Sequence, residues 1–160
     1  MANKVNNGYN GAIVLGLNDA IVETSGALVG LTFALAKSSL IATAGLITGI
    51  AAALSMASSE YLSAKEDNRK NPIRASFYTG ITYFLAVLIL VTPYFLLEST
   101  YLAGSAMFSL VILIIAIYTK YDSKIHKESF GKNFFQMLGI SLSVATISFL
   151  VGILVRKLLV

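Results

Sequence analysis

The sequence predicts an all-α membrane protein with five transmembrane helices, and three observations carry that prediction. Hydrophobic residues fill 56% of the 160 positions and charged residues only 12%, where soluble domains carry about 25% charge. The mean hydropathy is +0.77. Five apolar runs are each long enough to cross about 30 Å of hydrocarbon as a helix, for which about 20 residues suffice.

The spans fall at about residues 11–36, 40–64, 73–97, 101–120 and 134–155, in a single domain covering 1–160. The polar start MANKVNNGYN runs straight into a segment too long for a signal h-region, so the first helix is expected to be retained. Lys37-Ser38-Ser39 makes a short hairpin, which sets spans one and two as antiparallel neighbours. Span three carries Pro93 near its far end, where it is expected to kink or stop the helix. Span four is read as the shortest. Tyr9, Tyr61, Tyr94, Tyr101, Tyr118 and Tyr121 all fall near span ends, the level at which amphipathic rings settle.

Small residues recur at four-residue spacing: Gly26 with Gly30, and Gly45 with Gly49, Ala53 and Ala57. Such stripes let helix backbones approach closely in lipid, either span one on span two or across a dimer. No internal repeat is visible and five spans do not halve, so an inverted-repeat plan is not evident.

Orientation follows from the basic residues. Lys4, the group Lys65, Arg69, Lys70 and Arg74, and the group Lys120, Lys124, Lys127 and Lys132 fall on one side. Lys37, Arg156 and Lys157 fall on the other. Nine against three places the N-terminus in the cytoplasm and the C-terminus outside or in a lumen. The expected site is the cell membrane in a prokaryote, or a vacuolar-type membrane in a eukaryote.

Composition excludes several function classes. The net charge of +4 resides in loops as a topology signal, so nucleic acid is not an expected partner. The absence of cysteine removes disulfides, thiolate zinc sites and iron–sulfur clusters. His126 is the single histidine, so no ferritin-like di-iron centre can form. No phosphate-binding loop and no Ser/His/Asp set is present, and an enzyme is not expected. No resident cofactor is implied.

Four polar side chains lie inside otherwise apolar helices. Asp19 and Glu23 sit in LGLNDAIVETSGALVGLTFAL, and Met56 and Glu60 in GLITGIAAALSMASSEYL. Charge at membrane depth costs a few kcal/mol on insertion scales and marks function. Each pair is spaced i, i+4 and so shares one helix face. From the expected ends, Asp19 and Met56 both lie about 12 Å in, at 1.5 Å per residue. Glu60 then falls nearer the surface, where plain solvation is the competing reading, and Glu23 nearer the centre. The expectation is a ladder of metal ligands. A thioether beside carboxylates suits a first-row transition metal better than Ca²⁺ or Mg²⁺. Glu23 is the candidate proton carrier, since a protonatable glutamate beside a metal-binding aspartate is what proton-coupled exchange needs. The run Lys65–Lys70 is read as a solvated cytoplasmic cap; the competing reading is that Glu66 and Asp67 help attract cations to the mouth.

These residues resemble the vacuolar iron transporter family, with its yeast vacuolar and nodulin-like relatives. The likeness rests on GLNDAIVETSGALVGLTFAL, GLITGIAAALSMASSEYLSAKEDNR and TPYFL, and runs along nearly the whole chain. It implies a five-span homodimer with a pore at the two-fold axis, lined mainly by span one. It also implies proton-coupled export of Fe²⁺ or similar divalent metals from the cytoplasm, Mn²⁺ included. The family's pore aspartate corresponds to Asp19, its methionine to Met56, and the glutamate of its Gly-Glu-Tyr variants to Glu60. Glu23 has no counterpart.

Two departures stand out. The large cytoplasmic metal-binding domain between spans two and three is replaced by Ser63–Asn71. A second acidic position one helical repeat before Asp19 is Ala12. Two other functions compete: a cation channel using the same carboxylates, and a structural or regulatory membrane protein whose buried acids pair with a partner's basic span.

Overall fold

A computed structural model describes residues 9–159. Lys4, counted in the orientation argument, lies outside them. The described chain is five helices: α1 (Asn10–Ala34), α2 (Ser38–Glu66), α3 (Pro72–Leu96), α4 (Thr100–His126) and α5 (Phe130–Leu159). All five are long and apolar enough to cross a membrane, and no strand occurs among the described residues. The outer surface is aliphatic and aromatic: Ile47, Leu54, Phe77, Leu102, Ile117 and Phe135 all stand exposed. A surface of this kind is stable against lipid tails and not against water.

The fourth helix is not the shortest. At 27 residues α4 outruns α1 and α3, at 25 each. Its polar last turns continue beyond the expected end at Lys120 until Lys127 takes a left-handed conformation, φ 56°. The helix starts where Ser99 Oγ accepts the backbone N–H of Leu102. Pro93 lies inside α3, four residues before its C-cap Leu97, so the helix ends soon after the proline.

α1 is the centre of the bundle and touches each of the other four helices. It runs parallel to α3 and α5 and antiparallel to α2 and α4. Polar contacts fix that register. Thr79 donates to the Ala12 carbonyl at 3.0 Å, and Thr32 and Tyr94 share a 2.6 Å hydrogen bond near the opposite end. Ser38 donates to the Tyr94 carbonyl, pinning the α1–α2 hairpin to α3. Between these ends Ile21, Leu28, Ile41, Val87, Leu90 and Met107 form a closed apolar core.

The small-residue stripes pack within the chain, but not as expected. Gly26 and Gly30 face α5, not α2. A methyl on Gly26 would meet Val144, and one on Gly30 would stand 3.0 Å from the Ser148 carbonyl oxygen. Gly45 faces Leu28 of α1 and Val91 of α3, and Gly49 faces Val87. The stripe on α1 is thus used by a parallel helix that lies far away in sequence.

Candidate functional site

The four expected ligands occupy four different surroundings. Asp19 lies nine residues into α1, about 13 Å from its start. Its side chain borders a cavity of about 550 Å³ between α1, α4 and α5. No residue of α2 lines this cavity. Met56 is therefore not part of it, and instead packs, half-buried, at the margin of the apolar core. The helix register that sets Leu28 against Gly45 still brings Asp19 and Met56 to one level.

Glu23, one turn further along α1, turns toward α2 and α3. It is exposed, and Tyr83 of α3 donates a 2.7 Å hydrogen bond to its Oε2. A crevice of about 50 Å³ beside it is walled by Ala27, Thr48, Gly49 and Ala52.

Glu60 is only 5% exposed, and its Oε1 lies 2.8 Å from Arg69 Nη1. This corrects the reading of Glu60 as plainly solvated, and that of Lys65–Lys70 as a wholly solvated cap. The cause is local. Asn68 adopts φ 52°, the left-handed region that Asn tolerates well, and Arg69 N–H closes on the Ala64 carbonyl at 2.9 Å. The chain doubles back, and the guanidinium lands on the carboxylate nine residues earlier. Asp67 lies 3.7 Å from the same guanidinium.

The ion pairs among the described residues join Glu60 and Asp67 to Arg69, and Asp122 to His126. Asp19 and Glu23 enter none of them. Among the described residues no three His, Cys, Asp or Glu side chains gather tightly enough to hold a metal ion. A single chain thus offers Asp19 and Glu23 as separate, uncompensated carboxylates on adjacent turns of one helix.

Sequence reasoning missed the polar residues that share the Asp19 cavity. Asp122, Glu128, Asn133 and Gln136 line the same cavity. The first three fall in the loop that the sequence predicts between the end of span four at Lys120 and the start of span five at Phe134. The spacing of Asn133 and Gln136, i and i+3 in an otherwise apolar helix, was the available signal. Tyr83 was missed because an aromatic residue in a span is unremarkable until its hydroxyl has a partner.

Fold and site together define a polytopic helical membrane protein with carboxylates set within its spans. Residues 10–70 match the model of the VIT family. That match covers α1, α2 and the turn that carries Arg69, and is consistent with a member of the vacuolar iron transporter family. The match spans less than half of the chain, and the metal ion transport that the family suggests is taken up below as a proposal. No curated protein matches the chain.

Proposed function

We propose that this protein moves Fe²⁺ or a similar divalent transition metal such as Mn²⁺ out of the cytoplasm, in exchange for protons. It acts as a homodimer with its pore on the two-fold axis. The observation that carries the reading is Asp19, a carboxylate about 13 Å along a membrane helix with no basic partner among the described residues. Such a group needs a cation or a proton, and it lies within the segment that matches the family. Asp19 binds the ion. Met56, at the same level but outside the Asp19 cavity of the single chain, joins it only after α1 and α2 rearrange in the dimer. Glu60, once Arg69 gives way, is a further acidic group at the cytoplasmic end, and Glu23 passes metal or protons onward. The surface around Glu23 supports the dimer: Ala27 and Thr48 are small, exposed and beside an exposed carboxylate. Lipid tails cover such a face poorly and a second helix pair covers it well.

The test is uptake of Fe²⁺, Mn²⁺, Co²⁺ and Zn²⁺ into proteoliposomes of the purified protein, with and without a pH gradient. Gradient-dependent uptake that is lost in Asp19→Ala supports the proposal. Flux indifferent to the gradient identifies a channel, and wild-type flux in Asp19→Ala removes Asp19 from the pathway.

A further inference from the structure

The cavity beside Asp19 has a chemistry unlike the rest of the membrane-facing surface. Its wall carries three carboxylates, Asp19, Asp122 and Glu128, and three carboxamides, Asn18, Asn133 and Gln136. They form a descending series. Glu128 sits in the α4–α5 loop, Asp122 about 6 Å back from the C-terminal end of α4, Gln136 about 9 Å into α5, and Asn18 and Asp19 about 12 and 13 Å into α1. The upper members are held in place, with Asn133 donating to Glu128 at 2.8 Å and Asp122 lying 3.0 Å from His126. At the deep end the Asn18 carboxamide oxygen is buried without a hydrogen-bond partner among the described residues. The Asn18 side chain also lies within hydrogen-bond reach of the Tyr118 hydroxyl, so this oxygen can be met by turning the carboxamide, by water or by a cation; left unmet it costs about 1–3 kcal/mol. Gln136 is exposed on a helix whose other exposed residues are mainly apolar. Hydrocarbon offers neither group a partner. The cavity's 550 Å³ is ample for a continuous chain of water.

We propose that this cavity is an aqueous vestibule, formed by α1, α4 and α5 of one chain, through which hydrated divalent cations reach Asp19 from the α4–α5 loop. Asp122 and Glu128 attract the cation at the mouth, and the carboxamides replace part of its water shell on the way down. The carboxylates on its wall favour a cation inside the cavity, while the exposed Lys124, Lys127 and Lys132 flank the mouth. The cargo in this statement rests on the transport function proposed above; the water path does not.

The chain contains no cysteine, so single-cysteine variants need no prior engineering. Gln136→Cys tests the vestibule, Ser129→Cys reports the loop side, and Ile117→Cys on the outer face of α4 reports lipid. Each is reconstituted into sealed vesicles and treated with a membrane-impermeant, charged methanethiosulfonate. The vestibule predicts that Gln136→Cys reacts from the same side as Ser129→Cys, within about 10-fold of its rate, while Ile117→Cys stays unmodified. Millimolar Mn²⁺ slows the reaction of Gln136→Cys, and Asp122→Asn with Glu128→Gln abolishes that protection. Labelling of Gln136→Cys no faster than of Ile117→Cys overturns the water path. Labelling that Mn²⁺ leaves unchanged overturns the cation route. Neither readout needs transport, so a protein that moved no metal would fail the proposed function while the vestibule stood or fell on labelling alone.

Discussion

The hydroxyl of Tyr83, fully buried on α3, donates a 2.7 Å hydrogen bond to the Glu23 carboxylate on α1. A neutral donor at this place fixes the direction of the carboxylate without cancelling its charge, as a lysine would. Glu23 therefore remains available to a proton or a cation while its rotamer is held.

Removing that hydrogen bond is expected to affect rate more than fold. Tyr83→Phe keeps the ring volume in the core and removes one neutral donor, so stability falls by about 1 kcal/mol. Metal flux falls several-fold through kcat, with KM close to wild type. Thermal unfolding in detergent and initial rates in proteoliposomes separate the two effects, and a change confined to stability would remove Tyr83 from the transport cycle.

The pairing of Glu60 with Arg69 makes a different prediction. Arg69→Ala leaves a buried carboxylate without its guanidinium and is expected to cost about 2 kcal/mol, the range of a charge-assisted hydrogen bond. Arg69→Ala combined with Glu60→Ala costs less than the two single changes added, because neither group is then left unpaired. Additive costs in such a double-mutant cycle would show that the contact contributes nothing to stability.

What could be read from the chain divides along physical lines. The helices were legible because lipid imposes a length and a composition on every span, and Asp19 and Glu23 were legible because charge is costly there. Helix packing was not. Gly26 and Gly30 announce a close neighbour without saying which, and the answer, α5, lies more than a hundred residues away. The fate of Glu60 depended on one left-handed residue, Asn68, which no periodicity reveals. The vestibule was hidden because Asp122, Glu128 and Asn133 look like loop residues until α4 is seen to run on to His126.

The α1–α5 seam supplies a packing test with its own control. A methyl on Gly152 would collide with the Gly30 carbonyl, backbone against backbone, whereas one on Gly139 meets nothing within 4 Å. Gly152→Ala is expected to destabilise by about 1–3 kcal/mol as α5 is forced off α1. Gly139→Ala is expected to be neutral or to stabilise by up to about 1 kcal/mol through helix propensity. Equal melting temperatures for the two variants would mean that the seam is looser than it stands here.

Asp19 and Glu23 sit one turn apart, close enough for their charges to repel, but line different cavities, and single substitutions test their proposed tasks. Asp19→Asn retains shape and removes charge from the cavity that α1 shares with α4 and α5. Flux is expected to fall by about 100-fold or more, because a carboxylate is a far stronger ligand for a divalent cation than a carboxamide. Stability is unchanged or slightly higher, since an uncompensated charge has been removed from the interior of a span. Glu23→Gln keeps a group that still accepts the Tyr83 hydrogen bond but carries no titratable proton. Metal still crosses in that variant, and its rate no longer responds to a pH gradient. Uptake measured at a fixed metal gradient, with and without an opposing proton gradient, distinguishes the two. If Glu23→Gln remained fully coupled to protons, or Asp19→Asn still moved metal at the wild-type rate, the division of labour along α1 would be wrong.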